Sequence, residues 1–244
     1  MTKNTRYALI AAALIVLIGA AAYFLTQTPQ TDDTQAAVAA SATATAEASE
    51  GQAEPMMDYD AKTAEPWVVE AMRNRSIGKD SAPITMYDFS SLSCPHCADF
   101  HANILPQLKK DYIDTGKMKL VFIDFPLNLP ALQATALSRC IKDDEAYFGF
   151  IDQLFRTQKD WAMTDNAKAS LIGTIKFTGL SREDAERCID NQQLTAGILA
   201  QLDEMKNKYQ IDSTPTFVLN DGKATVKGAE TYDHFKAAID PLVK

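Results

Sequence analysis

Residues 82–101 read APITMYDFSSLSCPHCADFH. Ala82 to Phe89 is rich in β-formers and follows the turn-like Gly78-Lys79-Asp80-Ser81, which predicts a strand. From Pro95 the pattern turns helical, so Cys94 and Cys97 stand where a strand hands over to a helix. A helix N-terminus presents unpaired N–H groups and partial positive charge, and both stabilise a thiolate. His96 adds donors or charge near the same sulfur, and each effect lowers a thiol pKa. Cys97 lies on the following turn, close enough for a disulfide and pointing back into the helix. Cys94 is therefore expected to be the attacked sulfur and Cys97 the resolving one.

Two other readings of the cluster compete. Cys94, Cys97 and His101 form C-x2-C-x3-H, three plausible soft ligands, but a structural zinc needs a fourth. Only Cys140, Cys188, His234 or an acid remain, and none has matching local spacing. Haem attachment requires C-x-x-C-H, and Ala98 occupies that position. Two ordinary buried thiols are the third reading. The strand-to-helix placement favours a redox dithiol, with no metal and no cofactor. His101 reads as a surface or packing residue outside the chemistry, and His234 has no evident partner. Tyr147, Phe148, Phe150 and Phe155 recur at helical spacing and read as core. Trp161, in the polar stretch QKDWAMTDN, is the lesser candidate for lining a peptide groove.

On either side of this stretch the pattern is mixed. AEPWVVEAMRNRS (64–76) reads as a short helix with Pro66 in its first turn. Residues 95–116 read as a helix that Pro106 should kink or split, with Gly116 as the stop. KMKLVFIDF (117–125) reads as a second strand, parallel to the first through the intervening helix. From about Pro130 to Tyr209 apolar residues recur three and four apart, and Ser181-x-x-Asp184 is a capping-box pattern. Eighty residues is too long for a loop, so a helical insert is expected. TPTFVLNDGKATVKG then reads as a hairpin turning at Asn220-Asp221-Gly222, and TYDHFKAAIDPLV as a closing helix. The order is that of an α/β thioredoxin fold carrying an inserted helical subdomain.

The first sixty residues differ. Tyr7 to Leu25 is uncharged and would rise about 28 Å as a helix, close to the hydrocarbon thickness of a bilayer. Lys3 and Arg6 precede it, which places everything after Leu25 outside the cytoplasm. The expectation is an uncleaved anchor over residues 1–25. A signal peptide cut near Ala22, leaving a soluble protein, is the alternative. Residues 26–60 are Ala-, Thr-, Ser- and Gln-rich and read as a disordered tether with a reach of about 30–35 Å. Seven of its residues are acidic and none is Lys or Arg, while the whole chain carries −8. The acidity is thus concentrated in the tether, and no basic stripe suggests a nucleic-acid partner.

Residues 82–101 resemble the DsbA family of exported thiol-disulfide oxidoreductases, whose hallmark is such a strand, then C-P-H-C, then a helix. The resemblance covers most of 61–244, including DFPL, the helical insert and TPTF. It implies a periplasmic enzyme that introduces disulfides into reduced exported proteins through Cys94 and Cys97, with Pro95 and His96 between them. It also implies a DsbB-like quinone-linked membrane partner for reoxidation. Typical isomerases on this fold dimerise through a folded N-terminal domain, which residues 26–60 cannot form, so a monomer is expected. Thr214-Pro215 resembles the family's cis-proline beside the disulfide. Thr stands where the best-known oxidases have Val, which leaves an isomerase or reductase open. Asp88, six residues before Cys94, matches the family's buried acid and would handle the proton of Cys97; a solvated strand-end acid is the alternative. Cys140 and Cys188 share inward helical faces, and family members carry a second disulfide. A structural Cys140–Cys188 bridge is therefore expected, against two free core thiols. A binding or chaperone module without turnover is the remaining alternative.

Overall fold

The computed structural model describes residues 59–243. The expected anchor at 7–25 and nearly all of the tether at 26–60 lie outside the described residues. Among the described residues no helix is long and apolar enough to cross a membrane.

The centre is a five-stranded mixed sheet. Its strands are β1 (Arg75–Ile77), β2 (Ile84–Ser90), β3 (Met118–Asp124), β4 (Thr216–Leu219) and β5 (Ala224–Lys227), in the order β1-β3-β2-β4-β5. β2 and β3 are parallel, joined by a helical crossover, and the other neighbours pair antiparallel. Alternation on β2 sends Ile84, Met86 and Asp88 to one face and Tyr87 and Phe89 to the other. The first face packs on Cys97, Phe100 and Leu108, and the second on Ile211, Leu202 and Tyr209.

α1 (Pro66–Ala71) is shorter than the sequence suggests. Arg75 and Ser76, expected at the end of that helix, belong instead to β1, where Arg75 pairs with Phe122. The Arg75 side chain is buried and donates to the carbonyls of Arg139, Ile141 and Lys142, a set of partners far away in sequence.

The crossover, α2, is one helical run built of Pro95–Asp99, the π-helical Phe100–Ile104, Leu105–Leu108 and the π-helical Lys109–Ile113. Pro106 does not split it. The widened turn lets Leu105 N–H bond the Phe100 carbonyl, five residues back, and relieves the clash a proline ring makes with the preceding turn.

The expected insert is entirely helical between β3 and β4. It comprises α3 (Leu129–Arg139), α4 (Asp144–Arg156), α5 (Gln158–Trp161), α6 (Ala167–Ile172), α7 (Arg182–Asp190) and the long α8 (Gln192–Tyr209), with a 3-10 turn at Ile175–Phe177. Asn128, Asp143, Asn166, Ser181 and Asn191 each accept an N–H at their helix starts, a cap worth about 1 kcal/mol. α9 (Tyr232–Ile239) closes the fold. Its Phe235 meets Phe100 and Phe217 with ring centroids 5.3 and 4.9 Å away, locking α2 and α9 to the sheet. Trp161 is fully buried and donates Nε1–H to the Leu154 carbonyl, so it is core and lines no groove.

Candidate active site

Cys94 caps the N-terminus of α2 in extended conformation, and Pro95 takes the first helical position, where its missing N–H costs nothing. Cys94 N–H bonds the Ser91 carbonyl, and the Cys94 carbonyl accepts from Ala98. The turn is therefore held from both sides. Cys94 and Cys97 are free thiols, the first slightly exposed and the second fully buried.

β4 runs antiparallel beside β2, with Thr216 opposite Phe89. That register delivers the preceding Thr214-Pro215 to the cysteine turn, and its peptide bond is cis. The Pro215 carbonyl is occupied by Gly228 N–H, and Thr216 Oγ donates to the Ser213 carbonyl, so the loop is held at both ends. Cys94 Sγ lies 3.6 Å from the Thr214 carbonyl oxygen.

The two thiols are driven apart in acidity. The Cys94 thiol is lowered to about 5, chiefly by the hydrogen bond from Cys97, with further donation from Thr214 and the backbone N–H groups of Cys97 and His96; burial opposes the shift. The Thr214 carbonyl cannot donate and favours the protonated thiol, but these donors outweigh it. Burial is the main cause pushing the Cys97 thiol far up, followed by its hydrogen bond and charge interaction with Cys94; Asp88 adds to this at longer range. His96 acts on Cys94 through its backbone, and its ring is exposed.

Asp88 is fully buried under this turn, so it is not a solvated strand-end acid. Its carboxylate accepts from Ser90 Oγ and is hydrogen-bonded to His101 Nε2 at 3.0 Å. His101, expected to stand outside the chemistry, is buried against this acid. One signal pointed to it: His101 is four residues after Cys97, and that spacing puts both on one helical face. A further contact had no sequence signal. Gln158, buried at the start of α5, donates Nε2–H to the carbonyls of Leu92 at 2.8 Å and Cys94 at 3.0 Å. The insert thereby grips the cysteine turn.

Cys140 and Cys188 are joined in a disulfide between the end of α3 and α7, with Cα atoms 6.3 Å apart. Among the described residues no group of three or more His, Cys, Asp or Glu is arranged to hold a metal.

A dithiol at the start of a helix, faced by a cis-proline and underlain by a buried acid, on a mixed sheet of this order, defines a thioredoxin-fold protein. The family model described as Thioredoxin matches residues 70–241. The chain superposes on the crystal structure of Wolbachia pipientis alpha-DsbA1 with a TM-score of 0.65 and 31% identity, covering 70% of this chain and 91% of that one. The oxidised BdbD structure from Bacillus subtilis gives a TM-score of 0.63 at 26% identity, covering 70% and 92%. Disulfide bond formation protein D of Bacillus subtilis is 29% identical over 69% of this chain and 76% of its own length. A Rickettsia conorii protein named as a protein-disulfide oxidoreductase is 30% identical over 69% of this chain, and the chain spans 60% of that relative's length. This chain belongs to the DsbA-like branch of the thioredoxin-fold family.

Proposed function

We propose that this chain is a thiol:disulfide oxidoreductase that introduces disulfides into exported proteins by exchange through Cys94 and Cys97. The observation that carries the reading is the opposed acidity of the two thiols, one lowered to about 5 and the other pushed up by burial. A substrate thiolate attacks Cys94 Sγ of the oxidised pair and displaces Cys97. A second substrate thiolate then attacks the mixed disulfide at the substrate's own sulfur, and Cys94 leaves. A thiolate stabilised in the protein is a good leaving group and favours the reduced protein, so oxidation passes to the substrate. Leu127, in the loop after β3, and Leu129, the first residue of α3, expose large apolar side chains, and Leu127 N–H reaches Ser91 beside the cysteine turn. Such a surface suits an unfolded, reduced client. The names of the relatives, a protein-disulfide oxidoreductase and a disulfide bond formation protein, support the same class.

In this reading the enzyme works as a monomer in the periplasm, tethered by residues 7–25 and reoxidised by a DsbB-like quinone-linked membrane protein. Thr214, in place of Val, favours a second reading, an isomerase or reductase. Equilibrating the Cys94–Cys97 pair with glutathione, together with an assay of reduced RNase oxidation, separates the two. The oxidase reading expects a potential well above that of thioredoxin and oxidation of the RNase. A thioredoxin-like potential with no oxidation overturns it, and refolding of scrambled RNase without added oxidant supports the isomerase.

A further inference from the structure

α1, the α3–α4 connection and the start of α7 enclose a cavity of about 710 Å³, a size usual for a small-molecule site. No residue of the cysteine turn or of the cis-proline loop lines it. Trp67 and Ala71 of α1, Ile141 after α3 and Leu180 before α7 give it apolar walls. The Cys140–Cys188 bridge, also in the wall, ties the end of α3 to α7. Other contacts fix the walls as well. The buried Arg75 guanidinium holds the carbonyls of Arg139, Ile141 and Lys142. Leu180 N–H donates to Thr178 Oγ at 3.2 Å around Gly179, whose φ of 76° favours glycine. A cavity formed in advance spares a ligand the cost of ordering its walls.

Charge around the cavity decides what fits. The acids on its wall are engaged. Glu70 pairs with Arg73 at 2.9 Å, Asp143 accepts the Ala146 N–H, and Asp184 accepts from Ser181 Oγ and Arg187. The buried cations are engaged too, Arg75 with Asp144 and Arg139 with Asp124. The Arg187 guanidinium lies 5.6 Å from the Trp67 ring centroid. Lys142 differs. Its carbonyl is held by Arg73 and Arg75, yet its side chain is exposed and enters none of the ion pairs among the described residues. The cavity thus offers aliphatic walls, an indole and one unpaired cation on a fixed backbone. A cationic ligand would meet only acids already engaged, and a neutral one would leave Lys142 unused. We propose that this cavity binds a small carboxylic acid with an apolar body, its carboxylate on Lys142 and its body against Trp67, Ile141 and Leu180. The Cys94–Cys97 pair takes no part, so this site stands apart from the exchange reading.

The test is titration of the full-length chain with 4-phenylbutyrate, followed by tryptophan fluorescence and by calorimetry. The probes for comparison are 4-phenylbutan-1-ol and 4-phenylbutylammonium, which keep the body and change the charge. The chain has two tryptophans, and Trp161 is sealed in the core, so Trp67 should report the binding. The acid should bind at one site with a Kd below about 1 mM. The alcohol and the ammonium should bind about tenfold more weakly or less well still, the loss expected for a charge-assisted contact. Lys142→Met should weaken the acid by about the same factor and bring acid and alcohol level, while Lys142→Arg should keep the preference. Ala146→Leu, which narrows the cavity from the first turn of α4, should abolish binding of the acid. Should that variant fail to fold, the exposed Lys142→Met decides. No saturable binding, an alcohol that binds as tightly as the acid, or wild-type affinity in Lys142→Met overturns the proposal. A failed RNase assay or a thioredoxin-like potential bears on the exchange reading and leaves this result standing.

Discussion

The Sγ of Cys94 lies 3.6 Å from the carbonyl oxygen of Thr214, across 120 residues of sequence. This approach sets the attacked sulfur against the strand that the cis-proline begins. It also places the Thr214 hydroxyl among the donors that lower the Cys94 thiol to about 5.

The first prediction follows from that lowering. A thiol lowered from about 8.5 in the unfolded chain stabilises the folded reduced form. The contribution is complete above about pH 8.5 and is lost as pH falls through about 5. The oxidised form has no thiol there. Urea unfolding of both forms should show the reduced form losing stability relative to the oxidised one as pH falls through this window. A pH-independent difference would refute the assignment. Cys97→Ala removes the largest cause of the lowering and should raise the thiolate midpoint.

Gln158 tests the grip of the insert on the cysteine turn. Gln158→Leu leaves the carbonyls of Leu92 and Cys94 without their side-chain donor. An unsatisfied buried carbonyl costs roughly 1–3 kcal/mol. The variant should unfold at lower urea concentration, and its Cys94 thiolate midpoint should rise as the turn loosens. Unchanged values for both would show that Gln158 does not hold the turn.

Arg139 is a purely structural counterpart. Its buried guanidinium bonds Asp124 at 2.5–2.6 Å, the carbonyls of Ala71 and Arg73, and Gln201. Arg139→Met strands Asp124 and should cost about 3–5 kcal/mol. Pairing it with Asp124→Leu should restore much of the loss, since two apolar groups replace two buried charges. Equal instability of single and double variants would count against the ion-pair account.

The Cys140–Cys188 bridge closes a loop with a sequence separation of 48. In the chain-entropy model such a cross-link contributes about 4 kcal/mol. Replacing both cysteines by Ala should lower stability by up to that amount, measured by thermal and urea unfolding, while dithiothreitol still reduces the Cys94–Cys97 pair. Loss of exchange in a folded double variant would assign the bridge a part in the chemistry.

Much of the site is local and was therefore legible. The strand before Cys94, the helix after it and the hairpin at Asn220-Asp221-Gly222 each depend on neighbours a few residues away, and the observed β2, α2, β4 and β5 follow them. The end of α1 was misread because Arg75 and Ser76 have no marked local preference against helix. What makes them β1 is pairing with Phe122 and Val121 and the burial of the Arg75 guanidinium among carbonyls of the insert. Which side of the surface-or-packing alternative His101 takes was not legible for a related reason: it is a packed, buried residue. A lone histidine on a helix is buried or exposed according to what the sheet presents, and here the β2 register presents Asp88.

By itself the sequence determined the order of elements, the position of two cysteines at a helix start, and the inward faces of Cys140 and Cys188. Periodicity and capping are properties of short segments, and they specify which face of an element is apolar. Tertiary structure alone decided which polar groups meet inside: Thr214 on Cys94, Gln158 on the turn carbonyls, His101 on Asp88, Arg139 on Asp124. Each of these pairings spans 13 to 120 residues. A buried polar group must find its partner wherever strand register and helix packing place one, and no short stretch of the chain carries that information.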